Sequence, residues 1–202
     1  AALLLVGCAQ NEITDISPDA APPVGFKVFT DAQTRGLITN GGASSVNATG
    51  IQTTGFGVFA YYTGQSTLAS AAANTAPNFM YNQKLEKSGG AWTYSPMKYW
   101  PDNKKDCVSF FAYAPYVDEK VTSGRNPTFS GSTAKGYPTL TYSVPDWTEY
   151  HQDLLASVPL LDQTYENTVG GRIGFTMKHA LGNRPQRTAQ NRTASSAGNY
   201  RN

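Results

Sequence analysis

The 202-residue chain has little of what catalysis or metal binding usually requires. It holds two histidines and two cysteines. His151 and His179 lie in different segments, with no carboxylate or cysteine at ligand spacing. Each reads as a surface or strand-end polar residue, not as a metal ligand or general base. G-x-S-x-G, H-E-x-x-H, C-x-x-C and P-loop patterns are all absent. The glycines of Gly55-Phe-Gly57 do not form G-x-G-x-x-G, and no helical pattern follows them, which excludes a dinucleotide site. Asp118-Glu119 and Asp102/Asp106 are loop acids, too sparse for a calcium loop. No catalytic residue, cofactor-binding residue or metal ligand is expected, and the chain reads as non-enzymatic.

Charge is also scarce, at 15% of residues. The formal net charge of +2 is misleading, because residues 183–202 contribute four Arg and no acid. Without them, 12 basic residues face 14 acidic ones, a net of −2. This leaves no basic face for nucleic acid, so no nucleic-acid partner is expected. No apolar run approaches the ~20 residues that a spanning helix needs.

Gly, Ser, Thr, Asn and aromatic residues are plentiful instead. β-Branched and aromatic stretches alternate with Gly/Pro/Asn punctuation, the mark of strands and turns. Val24–Thr30 alternates and reads as a first strand. A Gly/Asn/Ser/Thr-rich loop, 31–50, follows, then a strong strand at Gly55–Tyr62. Residues 65–77 read as a loop or one short helical turn. Asn78–Lys87 and Ala91–Tyr94 flank Ser88-Gly89-Gly90, a hairpin signal. Pro96–Pro101 is a bulky edge segment. Asp106–Tyr116, with CVSFFAYAPY, is the most continuous apolar run and reads as a central strand, in which Phe111→Ala should cost about 3–5 kcal/mol. Residues 118–136 read as loop, 139–144 as a strand, 154–161 as an apolar segment and 170–181 as the last strand. The class is an all-β sandwich of about seven or eight short antiparallel strands.

Trp92, Tyr94, Tyr99, Trp100 and Trp147 could form a sugar-stacking platform on a surface glycan binder, or lids over the core. The core reading is preferred, because Trp is usually mostly buried. Cys107, in an apolar run, reads as a buried thiol, with a Cys8–Cys107 disulfide as the minor alternative. Asn47-Ala-Thr49 and Asn191-Arg-Thr193 match the glycosylation sequon.

The opening AALLLVGC looks like the end of a secretory h-region. Leu5-Val6-Gly7-Cys8 resembles the bacterial lipobox, in which the cysteine carries the lipid and becomes the new amino terminus. A trimmed signal peptide or a plain apolar strand start are the simpler alternatives. Under the lipobox reading, 1–7 is a residual signal h-region and Cys8 is the lipidation site. Residues 8–23 form a lipidated flexible tether, 24–182 the β-sandwich domain and 183–202 a disordered or frameshifted tail.

The stretches WTYSPMKYWPDN, VSFFAYAPY, DLLAS and GFTMKHAL, in that order after a lipobox, resemble the fimbrillins. These are type V pilus subunits and related surface lipoproteins of Bacteroidales. The likeness runs over roughly residues 5–181. It implies a Greek-key sandwich like the fimbrillin amino-terminal domain, on an outer-membrane surface lipoprotein. It also implies Arg-specific removal of the first strand, and assembly with other pilus subunits by strand exchange. Ligands on host or bacterial surfaces are further partners. Thr34-Arg35-Gly36 lies just after the first strand, which makes Arg35 and Gly36 the candidate processing bond. The simpler reading of Arg35 is a solvated loop residue. The resemblance stops at Leu181, where a second sandwich would follow in a typical member. Residues 183–202 contain no Val, Ile, Leu, Met, Phe or Trp. That switch reads as a frameshift or truncated gene.

Overall fold

The computed structural model describes residues 21–30, 48–120, 128–143 and 154–180. Among them the all-β class holds, with ten strands. In chain order the elements open with β1 (Gly25–Thr30), α1 (Ala48–Thr54) and β2 (Phe56–Gly64). Next come α2 (Leu68–Ala71), a 3-10 turn at Ala72–Asn74, β3 (Met80–Ser88), β4 (Ala91–Thr93) and β5 (Cys107–Ala114). The last five strands are β6 (Thr128–Gly131), β7 (Leu140–Ser143), β8 (Leu155–Ser157), β9 (Leu160–Gln163) and β10 (Arg172–His179).

Eight strands form one sheet in the order β1-β10-β8-β5-β2-β3-β4, with β9 also paired to β5. The pairings are antiparallel except for β1, which lies parallel to β10. Register shifts between Val58 and Ala60, and between Tyr62 and Gly64, bend β2. The sheet curls until its ends nearly meet. Pro23 bridges to Tyr99 antiparallel, Val24 N–H donates to Lys98 O at 2.9 Å and Trp100 N–H donates to Pro22 O at 2.9 Å.

The inside of this curl is the main core. Phe26, Phe56, Val58, Leu85, Trp100, Val108, Phe110, Leu155, Ile173, Phe175 and Met177 meet there. Strand alternation explains the arrangement: Ile173, Phe175 and Met177 point inward on β10, while Arg172, Thr176 and Lys178 point outward. A second apolar cluster lies on the outer face, built from Phe59, Tyr61, Leu68, Ala72, Tyr113 and Leu154.

Several expectations need correction. The 118–136 segment contains β6, which pairs with β7 as a separate two-stranded sheet. α1 falls across the end of the expected 31–50 loop. Its seven residues carry too little periodicity to announce a helix. The burial of Ile51 in the core and a stop at Gly55 (φ +73°) give it its place. The 154–161 run is two strands, broken at Val158-Pro159, so that β5 pairs with β8 through Tyr113 and Ala114 and with β9 through Val108 and Phe110. Phe110 is the fully buried phenylalanine of β5, while Phe111 is only half-buried, against the outer cluster.

Candidate functional site: the first strand and its groove

β1 is built as a plug. Val24, Phe26 and Val28 alternate inward, while Lys27 and Phe29 face out. Val24 and Phe26 are 1% and 6% exposed. Burial of two such side chains contributes about 1.5–3 kcal/mol each. The ring of Phe26 stacks on Phe175 at 5.9 Å, and meets Tyr94 at 5.4 Å and Phe110 at 6.1 Å edge-on. Three aromatic rings, from β5, β10 and the residue after β4, therefore form one pocket for a single β1 side chain.

The backbone of β1 is held from both sides. Its parallel register with β10 runs from Gly25↔Arg172 to Thr30↔Met177. Gly25 N–H donates to Gly171 O at 3.2 Å. The same carbonyl accepts the Trp100 indole N–H at 2.9 Å. Gly171 has φ +68°, and a Cβ there would lie 2.9 Å from the Trp100 nitrogen, so this corner needs glycine. On the other side, the Tyr94 hydroxyl donates to Val24 O at 2.9 Å and accepts from Lys98 N–H at 3.3 Å. Burial holds that hydroxyl above the ordinary tyrosine range.

The aromatic candidates divide. Trp100 is 2% exposed, and Trp92 and Tyr94 pack half-buried against the core. Only Tyr99 stands exposed among the four described, so these residues do not make a stacking platform. Trp147 lies outside the described residues, as do His151 and both sequon asparagines. Cys8, Arg35 and Gly36 also lie outside them, so the lipidation site and the processing bond carry no structural account. Cys107 is a free thiol, half-buried instead of buried, because it begins β5 where the strand leaves the core. Burial, then the carboxylates of Asp162 and Asp106, pushes its pKa up. That opposes thiolate chemistry. The loop acids have structural work. Asp106 accepts from Tyr62 Oη at 2.6 Å, and Glu119 accepts from Tyr81 Oη and Gly131 N–H, both at 2.8 Å.

One device escaped sequence reasoning. Tyr113 repeats the Tyr94 arrangement at the end of β5. Its hydroxyl accepts from Val117 N–H at 3.4 Å, four residues on, as Tyr94 accepts from Lys98. Both turns contain a cis X–Pro bond, Ser95–Pro96 and Ala114–Pro115. The signal was present as two Tyr-small-Pro triplets, YSP and YAP.

A plug strand at the end of a curled sheet, reached from the amino-terminal side, is the geometry against which known proteins can be compared. The family model described as Fimbrillin-like matches residues 44–183. A fimbrium subunit, Fim1C, of Phocaeicola vulgatus is 38% identical over 187 residues, covering 90% of this chain and 47% of that protein. The crystal structure of a fimbrial protein from Bacteroides vulgatus superposes with a TM-score of 0.63 at 31% identity, covering 78% of this chain and 45% of that one. The chain thus spans about half the length of the relatives it matches. On sequence and fold together, it belongs to the fimbrillin-like family.

Proposed function

We propose that this chain is a structural and adhesive subunit of a cell-surface fimbrium, exported as an outer-membrane lipoprotein through Cys8. Cleavage between Arg35 and Gly36 then separates the anchor, the 8–23 tether and β1 from the rest of the domain. The observation that carries this reading is the place of β1. It is a terminal strand of the sheet, yet it fills the main core with Val24, Phe26 and Val28. Its departure would leave the β10 edge with unpaired backbone groups, beside a pocket of Phe175, Phe110 and Tyr94. An open edge next to an apolar slot is what a strand from another subunit fills in β-augmentation. The work is mechanical, with no reaction step, and needs no cofactor.

Digestion with an Arg-specific protease followed by amino-terminal sequencing tests it. The expected product begins at Gly36, and Arg35→Ala stays whole. Mixed with other fimbrial subunits, the cut chain should form ladders on native gels. Cleavage only elsewhere, or a cut chain that stays monomeric with such partners, would overturn the reading.

A further inference from the structure

The outer face of the sheet at its β1 end carries positive charge that no acid among the described residues matches. β1, β10 and β8 contain Lys27, Arg172 and Lys178 and no Asp or Glu. These cations come from opposite ends of the described chain and meet only because β1 lies parallel to β10. The register Gly25↔Arg172, Lys27↔Gly174 and Phe29↔Thr176 puts Lys27, Phe29 and Arg172 on one face, and alternation adds Thr176 and Lys178. All five are exposed. Phe29 is 56% exposed, with its ring over Gly174, where a Cβ would lie 3.2 Å from Cε2. Among the described residues no carboxylate or ring engages the three cations. At the opposite end Lys84 pairs with Glu86 and lies over Tyr116, and Lys87 lies over Trp92. The net charge of −2 for residues 1–182 therefore conceals a local basic face.

We propose that this face docks on a lipid surface bearing anionic headgroups. Phosphate oxygens lie against Lys27, Arg172 and Lys178, and the Phe29 ring enters the interfacial layer. The cations are spread over an open sheet face, not gathered around a groove, which suits a planar array of headgroups better than a peptide. An exposed aromatic ring among cations combines the two forces that hold proteins to membrane interfaces. Reach agrees: residues 8–20 span at most about 45 Å between Cys8 and the residues leading into β1. That last argument rests on the acylation reading, while the charge and Phe29 do not.

The experiment therefore uses the 202-residue chain carrying Cys8→Ser, so that failed docking is distinct from failed lipidation. Sedimentation with vesicles of phosphatidylglycerol and phosphatidylcholine at low ionic strength is expected to pull the protein down. Phosphatidylcholine alone, or about 0.5 M salt, releases it. Lys27→Gln, Arg172→Gln and Lys178→Gln each lower partitioning about fivefold, and the triple variant roughly 100-fold, with the unfolding midpoint unchanged. In a Phe29→Trp variant, brominated lipid should quench more fluorescence than in the parent. No partitioning onto anionic vesicles overturns the proposal. So does partitioning that survives the triple variant but is lost when Arg184, Arg187, Arg192 and Arg201 become Gln. Capture by an acidic peptide of residues 9–20 without vesicle binding would reassign the face to a protein partner.

Discussion

The two ends of the sheet are closed by opposite means. β4 is a three-residue strand joined to β3 by Gly89-Gly90, both at positive φ, in a two-residue turn. Its pairing is local, and its one large side chain, Trp92, is half-buried under Lys87 and against Phe56. β1 pairs with a strand near the other end of the described chain, and buries Val24 and Phe26 almost completely. The local end gives little to the core and binds its own cations. The remote end supplies the core, and no carboxylate or ring among the described residues engages its cations. A terminal strand that is also a core element is costly to lose, and a vacancy of that kind favours a replacement strand. A removable flap of small burial would leave nothing to refill.

The largest effect should separate these ends directly. Phe26→Ala empties a three-ring pocket and should cost about 3–5 kcal/mol in a urea unfolding series, while Trp92→Ala should cost about 1–2 kcal/mol. Equal losses would erase the distinction between plug and hairpin. The sheet centre supplies a reference: Phe110→Ala should match Phe26→Ala, and its neighbour Phe111→Ala should cost about half as much. A larger loss at Phe111 would mean that the outer cluster, not the interior, dominates.

Glycine substitutions sharpen the contrast at smaller scale. A Cβ at Gly57 would collide with the Tyr113 ring, so Gly57→Ala should destabilise by about 1–3 kcal/mol. Gly174→Ala asks only that the exposed Phe29 ring yield by a few tenths of an ångström. Its thermal midpoint should stay close to that of the parent.

The gentlest test is alkaline pH. Burial first, then the Glu119 carboxylate, pushes Tyr81 up to about 12, and burial raises Tyr113 and Tyr94 as well. Unfolded tyrosines ionise near pH ~10. Below that both states are protonated and the stability is fully present. Above it the unfolded state loses protons first, so stability falls as pH rises toward about 12. Ionisation of all twelve tyrosines near pH ~10 in the still-folded protein, with no loss of stability, would contradict these environments.

Much of the fold was legible because strands with one buried face announce themselves by period two. Val24–Thr30, the Ser88-Gly-Gly hairpin and Ile173-Phe175-Met177 all appear where the alternation put them. What hid was short or non-periodic. β6 has four residues in a polar stretch, and α1 has seven residues held by Ile51. Phe110 and Phe111 are identical in the one-dimensional pattern, and only the curl of the sheet decides which goes inside. The candidate site was half readable. The strand and its inward residues were visible, but the pocket around Phe26 was not, since Tyr94, Phe110 and Phe175 lie far apart in the chain.

The sequence by itself determined the strand-rich class, the main hairpin and the inward set of each long strand, because these depend on neighbours two or a few residues apart. The tertiary structure alone decided that β1 runs parallel to β10, that it plugs the core, and that Lys27 joins Arg172 and Lys178 on one face. Pairing across nearly the whole described chain is settled by closure of the sheet and burial of Val24 and Phe26 together, and no local preference encodes it.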